Sequence, residues 1–300
     1  MTGADPAAFD PGRFFDSFPR FVHSSETGPW LDRLNARYFA LIHANRAVFA
    51  GARVLDLASH DGRFGFAALM NGAAHVVGVD VKGHLVETAI EHFVGYGIHP
   101  SRFELLVGDM YDYLDSPRSF DVVLCFGILY HVNDHHGLLR RIADTGPHAV
   151  LIDSLTSPLD GAVVEVRSPL SGGTPEPGSQ LEGHPSRGAL EAWCSSFGWT
   201  TDWFDWAGSG LTDRPHMKDY RSGRRVSIAV NCPEHAVNQA VREAAVAAVL
   251  AEQQERETQF LVITLVAQRF GITPQALQTW VRAAEAAGWR RDSFRPTGPT

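Results

Sequence analysis

One stretch constrains the fold more than any other: residues 54–69, VLDLASHDGRFGFAAL. It begins as a short apolar run that carries one acid, Asp56, at its end. Small and polar residues follow at 58–62, and apolar residues then recur at helical spacing. The pattern predicts a buried strand, a tight turn and the start of a helix. Such a turn presents free backbone N–H groups and the positive end of a helix dipole, and in open α/β sheets ligands bind there.

Strands and helices alternate along the chain after this stretch. We predict the first five strands near residues 52–57, 75–80, 103–109, 119–127 and 148–154. Short, continuous apolar runs are typical of parallel strands covered on both faces. Two later runs, 199–206 and 224–231, predict a last strand pair, antiparallel at one edge of the sheet. The sequence therefore predicts an α/β protein with a doubly wound, mostly parallel seven-stranded sheet.

The chain divides into three predicted parts. Residues 1–50 carry closely spaced phenylalanines and a helical pattern, which indicates an arm packed on the body or a lid over an apolar pocket. Residues 51–232 hold the sheet and a Gly- and Pro-rich insert, 155–184, with a short strand inside it. Residues 233–300 predict a helical extension with a helix-turn-helix pattern around Gly271. Its acidic and basic residues nearly balance, which favours a helical cap or a homodimer contact over a DNA-binding module.

Composition narrows the classes of protein. The net charge of −8 opposes a surface dominated by phosphate contacts, so nucleic acid is an unexpected partner. No apolar run is long enough to span a bilayer, and the first residues do not resemble a secretory signal, so no membrane partner is expected. Three widely spaced cysteines indicate neither a disulfide framework nor a zinc site. These features predict a cytoplasmic protein.

Four motifs resemble, in order and spacing, those of the class I S-adenosylmethionine (SAM)-dependent methyltransferases of small-molecule type. They are VLDLASHDG at 54–62, Asp80 at the end of the second strand, GDM at 108–110 and FDVVLCFGILYH at 120–131. The resemblance covers about residues 52–231 and implies a Rossmann-like fold with SAM as cofactor. It implies that Asp80 holds the ribose, since a carboxylate after a parallel strand suits two vicinal hydroxyls.

The resemblance also implies a set of cofactor-binding residues: Arg37, Asp56, Ala58, Ser59, His60, Asp61, Gly62, Asp80, Asp109, Met110 and Phe126. Asp109 is expected to meet the adenine amino group. Arg37 or Arg63 is expected to bind the methionine carboxylate, because a guanidinium can bind a carboxylate bidentately. The alternative for both arginines is a solvated helix face.

The turn after the first strand departs from the family's glycine pattern. Ala58 and His60 stand where glycine is commonest, and only Gly62 remains. A glycine-poor turn disfavours a dinucleotide, whose pyrophosphate needs close backbone approach, and suits SAM better. We therefore expect His60 and Asp61 to contact the cofactor through their side chains, with a plain turn residue as the alternative for His60.

Methyl transfer requires alignment of donor and acceptor, and a base only where the acceptor loses a proton. Tyr130 and His131 follow the fourth strand and are candidate catalytic residues. His131 is the expected base because imidazole titrates near neutral pH. A structural, helix-capping histidine is the alternative. Glu165, in the strand of the insert, is a second candidate base, or else part of the polar face of a hairpin.

A divalent metal such as Mg²⁺ is a further candidate. Asp134 with His135 or His136 can supply ligands that orient acceptor oxygens. Adjacent side chains at a helix start diverge, however, and Asp134 can instead be the N-cap of the next helix.

Three functions remain open from the sequence. The first, which we expect, is methyl transfer from SAM to oxygen or carbon of a small-molecule acceptor such as a natural-product intermediate, a sugar or an isoprenoid. The second is nucleic-acid modification, because the segment CFGILYH at 125–131 is also similar to that of enzymes that modify the tRNA wobble uridine with a SAM derivative. The helical tail would then be the reader. The third is a non-catalytic partner with this fold, which the presence of Asp80 disfavours.

Overall fold

The computed structural model describes residues 11–26, 30–168, 181–233, 239–252, 259–270 and 274–286. The strands are β1 (Arg53–Leu57), β2 (His75–Asp80), β3 (Phe103–Val107), β4 (Val122–Phe126), β5 (Ala149–Leu155), β6 (Val164–Arg167), β7 (Glu182–Pro185), β8 (Thr200–Trp203) and β9 (Arg225–Asn231). The helices of the first part and the sheet region are α1 (Arg20–His23), α2 (Leu31–Tyr38), α3 (Arg63–Met70), α4 (Gly83–Gly95), α5 (Met110–Leu114), α6 (His135–Asp144), α7 (Arg187–Ser196) and α8 (Lys218–Arg221). The last three are α9 (Gln239–Glu252), α10 (Gln259–Phe270) and α11 (Pro274–Ala286).

Seven strands form one sheet in the order β3-β2-β1-β4-β5-β9-β8. Neighbours among β1 to β5 are parallel, which confirms the predicted doubly wound, mostly parallel sheet. Only β9 reverses direction, because it lies antiparallel to both β5 and β8. The strand order turns back between β1 and β4, and the crevice at such a switch point is where open sheets bind ligands.

Each face of the sheet is covered by its own apolar core. Val54 of β1 belongs to the core that contains α3, and Leu55 belongs to the opposite core, which contains α6. The alternation follows from the two-residue repeat of a strand. Because both faces are buried, these strands are continuously apolar, which is why the sequence located them.

The described part of the N-terminal arm packs on the body. Phe14, Phe15 and Phe21 are buried in the core that contains α3. The Phe14 ring stacks on Tyr38 of α2, with centroids 4.0 Å apart, and the Phe21 ring lies 5.1 Å from that of Phe66. The first interpretation of residues 11–26, an arm packed on the body, therefore describes these contacts.

The insert holds a separate two-stranded sheet. Strand β6, which the sequence predicted, pairs antiparallel with β7. The sequence did not predict β7. The Glu165 position lies opposite His184 in this pairing. Residues 169–180 of the insert lie outside the described residues.

Helices α9, α10 and α11 share a third apolar core. Trp280 of α11 lies against Gly146, which follows α6, so close that a Cβ added to Gly146 would lie 2.6 Å from the indole Nε1. Gly271, expected in the turn between the last two helices, lies outside the described residues. Within the part of the chain that the structure describes, no helix combines the length and the apolar character needed to cross a bilayer.

Candidate functional site

The structure brings the predicted cofactor residues to one edge of the sheet. Residues 58–62 follow β1, Asp80 ends β2, Asp109 follows β3 and Phe126 ends β4. The four strands are neighbours and parallel, so their carboxyl ends meet along one line. We call this line the strand-end edge.

The turn after β1 keeps a left-handed backbone without the family's glycines. The φ angles of Ala58, His60 and Gly62 are 52°, 55° and 76°. Left-handed φ values are unfavourable for residues with a Cβ and cost glycine nothing. The positions where glycine is commonest in the family are therefore the positions where this turn needs positive φ.

Asp80 joins the first two loops of the strand-end edge. Its Oδ2 accepts a hydrogen bond from the backbone N–H of His60 at 2.8 Å, and its Oδ1 accepts one from that of Lys82 at 2.9 Å. A carboxylate has about four lone-pair sites, so each oxygen can accept another hydrogen bond. Asp80 can therefore hold the two loops together and still receive a pair of ribose hydroxyls.

Asp61 and Arg63 form a buried ion pair. The Arg63 Nε lies 2.6 Å from Asp61 Oδ1, and the hydroxyl of Ser24 in the arm donates to Asp61 Oδ2 at 2.5 Å. Burial raises the pKa of Asp61, but the guanidinium of Arg63 and the ring of His60 together outweigh burial and hold the pKa well below its usual range. Arg63 also donates to Ser25. These bonds anchor the arm to the turn and leave Arg37 as the better placed arginine for a methionine carboxylate.

Asp56 and Ser59 stabilise the turn after β1 through buried contacts with α3 and β2. Asp56 is buried, and its Oδ2 accepts a hydrogen bond from the backbone N–H of Gly65 at 2.9 Å. Burial raises the pKa of Asp56 to about 7, although the Gly65 bond opposes the shift. Ser59 packs over Gly78 of β2, where an added Cβ would lie 2.9 Å from the serine Oγ. These contacts give Asp56 and Ser59 a structural role at the strand-end edge.

Arg37 of α2 reaches the edge beside the end of β4. Its Nη2 lies 3.1 Å from Asp153 Oδ1, and its Cζ lies 4.8 Å from the centre of the Phe64 ring, which contacts Phe126 edge-on. Its Nε is buried and has no hydrogen-bond partner among the described residues. A buried donor without a partner costs free energy, and a carboxylate from a ligand would satisfy it.

The donors and acceptors of the edge fit SAM. Asp80 offers lone pairs for vicinal hydroxyls, and Arg37 offers a buried N–H for a carboxylate. The Nε2 of His60 is also buried without a hydrogen-bond partner among the described residues. Asp109 caps α5, since its Oδ1 accepts the backbone N–H of Tyr111 at 2.7 Å, and Met110 beside it is largely buried.

His131 and Tyr130 lie in a 3-10 turn, Leu129–His131, just after β4. The Tyr130 hydroxyl lies 3.4 Å from Nη2 of Arg225. The Nδ1 of His131 lies 3.3 Å from Oε1 of Glu182 on β7. Burial lowers the pKa of His131, although the Glu182 carboxylate opposes this shift. The predicted base thus has a carboxylate neighbour that the sequence analysis did not single out.

Glu182 also contacts a second histidine. Its Oε2 lies 2.9 Å from Nε2 of His184, and both side chains are almost completely buried, with 4% and 1% of their side-chain surface exposed. We call these residues the His131–Glu182–His184 cluster. The sequence did not identify Glu182 and His184, because they lie at the end of a Gly- and Pro-rich insert. The signal it did contain was an acid and a histidine two residues apart, which a strand places on one face.

The structure gives Glu165 structural partners. Its carboxylate lies 2.6 Å from Nη2 of Arg167 and 2.7 Å from the hydroxyl of Ser157. The hydrogen bond from Arg167 is the main reason that the pKa of Glu165 falls to about 2. A carboxylate so strongly stabilised is a poor proton acceptor near neutral pH. The hairpin interpretation of Glu165 fits these contacts better than the second-base interpretation.

The metal prediction gains no support. Asp134 is the N-cap of α6, with its Oδ1 accepting the backbone N–H of Gly137 at 2.8 Å. His135 is buried, its Nε2 lies 2.9 Å from the carbonyl oxygen of Gly183, and its ring stacks on Trp193. Across the described ranges, no three His, Cys, Asp or Glu side chains are grouped so as to hold a metal ion.

Comparisons with known proteins agree with this geometry. Residues 54–145 match the family model described as "Methyltransferase domain". This match agrees with the resemblance of the four motifs to the class I SAM-dependent methyltransferases. The matched residues run from β1 to the end of α6 and include the ends of all four strands of the edge.

Curated relatives match only part of the chain. It is 33% identical over 95 residues to a ubiquinone biosynthesis O-methyltransferase of Neisseria meningitidis, covering 31% of this chain and 39% of the relative. It is 32% identical over 107 residues to ribosomal RNA large subunit methyltransferase I of Photobacterium profundum, covering 34% and 26%. The chain thus spans well under half the length of these relatives. A crystal structure of a SAM-dependent methyltransferase from Mesorhizobium loti is 16% identical, with a TM-score of 0.46, and covers 65% of this chain and 97% of the other.

Proposed function

We propose that this protein transfers a methyl group from SAM to a hydroxyl of a small-molecule acceptor. The observation that carries the proposal is the Asp80 carboxylate, which bridges the loops after β1 and β2 within a matched methyltransferase domain. A natural-product intermediate, a sugar or an isoprenoid remains the proposed acceptor class. Support comes from the partial match to an enzyme named for O-methylation in ubiquinone biosynthesis.

In the proposed reaction the residues of the edge bind, orient and exclude water. SAM supplies an activated methyl group on a positively charged sulfur. Asp80 would hold the ribose hydroxyls, and Arg37 the methionine carboxylate, by charge-assisted hydrogen bonds. Phe64 and Phe126 form an apolar edge-to-face contact at the end of β4 and would exclude water there. His131 would take the proton of the acceptor hydroxyl.

Calorimetric titration of SAM tests the cofactor assignment. Wild type is expected to bind, and Asp80→Asn to bind roughly 10- to 100-fold more weakly, because a charged hydrogen-bond acceptor contributes about 1.5–3 kcal/mol. The control is Asp115→Asn, whose carboxylate is largely exposed and pairs with Arg141 on the surface. Wild type that fails to bind SAM would overturn the proposed function.

A nucleic-acid acceptor is the second candidate, because one partial relative is named as a ribosomal RNA methyltransferase. The net charge of −8 opposes it. Transfer of labelled methyl from SAM to total RNA, compared with transfer to a panel of phenols and sugars, separates the two. Adding a chelator to the same assays tests the proposed divalent metal, and loss of activity would support it.

A cytoplasmic location and a homodimer through the C-terminal helices also remain proposals. The three cysteines are free and buried, which suits a reducing compartment. Light scattering of the full chain would give its mass relative to the 32.9 kDa monomer.

A further inference from the structure

Glu182 reaches His131 from a different part of the chain. His131 follows β4, whereas Glu182 begins β7 in the insert. The Glu182 side chain is almost completely buried, and 14% of the His131 side chain is exposed. A buried carboxylate beside a partly exposed imidazole can direct that imidazole without contacting a substrate itself.

The contact favours one nitrogen of His131, Nε2, as the proton acceptor. The Nδ1 of His131 makes no hydrogen bond to the described residues, although it lies 3.3 Å from Glu182 Oε1. A carboxylate only accepts hydrogen bonds, so this neighbour favours the tautomer with the hydrogen on Nδ1. The lone pair of a neutral ring then lies on Nε2, the nitrogen on the far side of the ring. At 3.3 Å the contact is longer than a full charge-assisted bond, and contacts of this kind tighten when the imidazole gains its proton.

His184 holds the other oxygen of the carboxylate. Its Nε2 lies 2.9 Å from Glu182 Oε2, so Oε1 is the oxygen presented to His131. The Tyr130 ring contacts both histidines, with its centroid 4.2 Å from that of His131 and 5.8 Å from that of His184. The carboxylate is thereby fixed in direction as well as in place.

The backbone of β7 is anchored to the segment that carries His131. The Nε2 of His135 lies 2.9 Å from the carbonyl oxygen of Gly183. A Cβ added to Gly183 would lie 2.8 Å from Cε1 of His135 and 3.0 Å from the carbonyl oxygen of Val132. Only glycine permits this close approach. The backbone next to Glu182 is therefore packed directly against the segment that follows His131.

The charges around His131 have opposing effects. Glu182 favours its protonated form, while Arg225 and His184 disfavour it. Arg225 is itself paired with Asp153 at 2.9 Å and with Asp219 at 3.0 Å. Among the described residues, Glu182 is therefore the carboxylate that stabilises an imidazolium at His131.

We propose that Glu182 is a positioning residue that holds His131 as proton acceptor, so that the acceptor is a compound whose hydroxyl must lose its proton. The inference rests on the proposed function. The acceptor oxygen forms a bond to the methyl carbon, and the bond from that carbon to sulfur breaks with its electron pair left on sulfur. The hydroxyl proton passes to Nε2 of His131. The products are a methyl ether, S-adenosylhomocysteine and an imidazolium hydrogen-bonded to Glu182.

Nuclear magnetic resonance of the full chain tests the pair without turnover. The chain has 14 histidines, so the imidazole C2–H signal of His131 is assigned by its loss in His131→Gln. Glu182→Gln is expected to lower the pKa of His131 by about one unit, because an opposite charge within a few ångströms favours the protonated form. Glu191→Gln, an exposed carboxylate on α7, is the matched control and should leave the pKa unchanged.

Kinetics provide the second measurement. Glu182→Gln is expected to lower kcat roughly tenfold or more and to move the acidic limb of the kcat/KM profile to lower pH by the same one unit. A fall in kcat with no change in the His131 pKa would mean a merely structural role and would overturn the inference. Glu182→Asp, which keeps the charge, should restore part of kcat; a variant with unchanged pKa and unchanged kcat would also overturn it.

The two proposals fail separately. If wild type does not bind SAM, the proposed function is wrong, while the pKa of His131 in Glu182→Gln still reports on the pair. If SAM binds and methyl transfer proceeds but the pKa does not respond to Glu182→Gln, only the positioning role is wrong. If Glu182→Gln does not fold, Glu182→Asp is measured instead. Its carboxylate is one methylene shorter and so lies farther from His131, and it should lower the His131 pKa and kcat by less than Glu182→Gln; an unchanged His131 pKa in this variant would overturn the inference.

Discussion

Two non-glycine residues hold the turn after β1 in a conformation that glycine adopts freely. Ala58 and His60 have φ values of 52° and 55°. Strained backbone of this kind persists only where its surroundings fix it, and here the carboxylate of Asp80 accepts the N–H of His60. The strain therefore lies at the place where the cofactor is proposed to bind.

Replacing Ala58 by glycine should relieve part of this strain. A left-handed residue with a Cβ costs about 1–2 kcal/mol, and the greater freedom of unfolded glycine offsets about 0.5–1 kcal/mol. We expect Ala58→Gly to raise the free energy of unfolding by up to about 1 kcal/mol in urea. The control Ala74→Gly, at an exposed position without positive φ, should lower it by about 0.4–1 kcal/mol. Equal losses in the two variants would contradict the prediction.

Asp56 should make stability depend on pH. Its pKa is raised by burial from 3.8 to about 7, so the folded chain keeps a proton that the unfolded chain releases across this window. This proton contributes fully to the free energy of unfolding below the pKa of Asp56 in the unfolded chain. The contribution, up to about 4 kcal/mol, is lost as the pH rises through the pKa of Asp56 in the folded chain. Asp56→Asn has no such proton and can still accept from Gly65. Its free energy of unfolding relative to wild type should therefore rise from about pH 4 to about pH 7; a constant difference in urea titrations at several pH values would refute this.

At the scale of elements, the N-terminal arm is part of the core. Phe21 of α1 is completely buried and lies 5.1 Å from Phe66 and 4.7 Å from His92, ring centre to ring centre. Ser24 then joins the arm to Asp61 in the turn after β1. The arm thus couples the apolar core to the strand-end edge.

Phe21→Ala should destabilise the whole domain. Truncating a fully buried phenylalanine removes its transfer free energy and leaves a cavity, which costs about 3–5 kcal/mol. Leu159→Ala, at an apolar residue that is 56% exposed, should change stability by less than about 0.5 kcal/mol. Both values follow from urea unfolding monitored by circular dichroism. A loss for Phe21→Ala as small as that for Leu159→Ala would mean that the arm does not contribute to the core.

The elements also show what the sequence can and cannot predict. Strands β4 and β5 were located within three residues at each end, because burial on both faces makes a strand a continuous apolar run. Strand β7, with the sequence EGHP, has no apolar pattern because its side chains are buried among polar partners. Glu182 meets His131 only through the antiparallel pairing and packing of the insert. Such contacts depend on tertiary structure and leave no local period in the sequence.

At the scale of the whole molecule, one buried charge network joins distant parts of the chain. Asp153 of β5 pairs with Arg37 of α2 at 3.1 Å and with Arg225 of β9 at 2.9 Å. Arg225 also pairs with Asp219 of α8, which Arg33 of α2 contacts at 2.7 Å. The hydroxyls of Tyr220 and Ser227 donate to the second oxygen of Asp153. The network holds α2, and with it Arg37, against the carboxyl end of β5.

Removing the Asp153 charge should therefore be far more costly than removing a surface charge. Asp153→Asn leaves the two guanidiniums of Arg37 and Arg225 without their shared carboxylate, and an uncompensated buried charge costs about 3–5 kcal/mol. Burial raises the pKa of Asp153, but Arg37 and Arg225, with the hydrogen bonds from Tyr220 and Ser227, outweigh burial and lower the pKa below its usual value. The ionic contribution is thus present above the unfolded pKa and lost as pH falls through the folded pKa. In urea titrations, the free energy of unfolding of Asp153→Asn should fall furthest below that of wild type near neutral pH, and the difference should shrink in acid. If the variant lost only packing and no charge interaction, the difference would be the same at every pH.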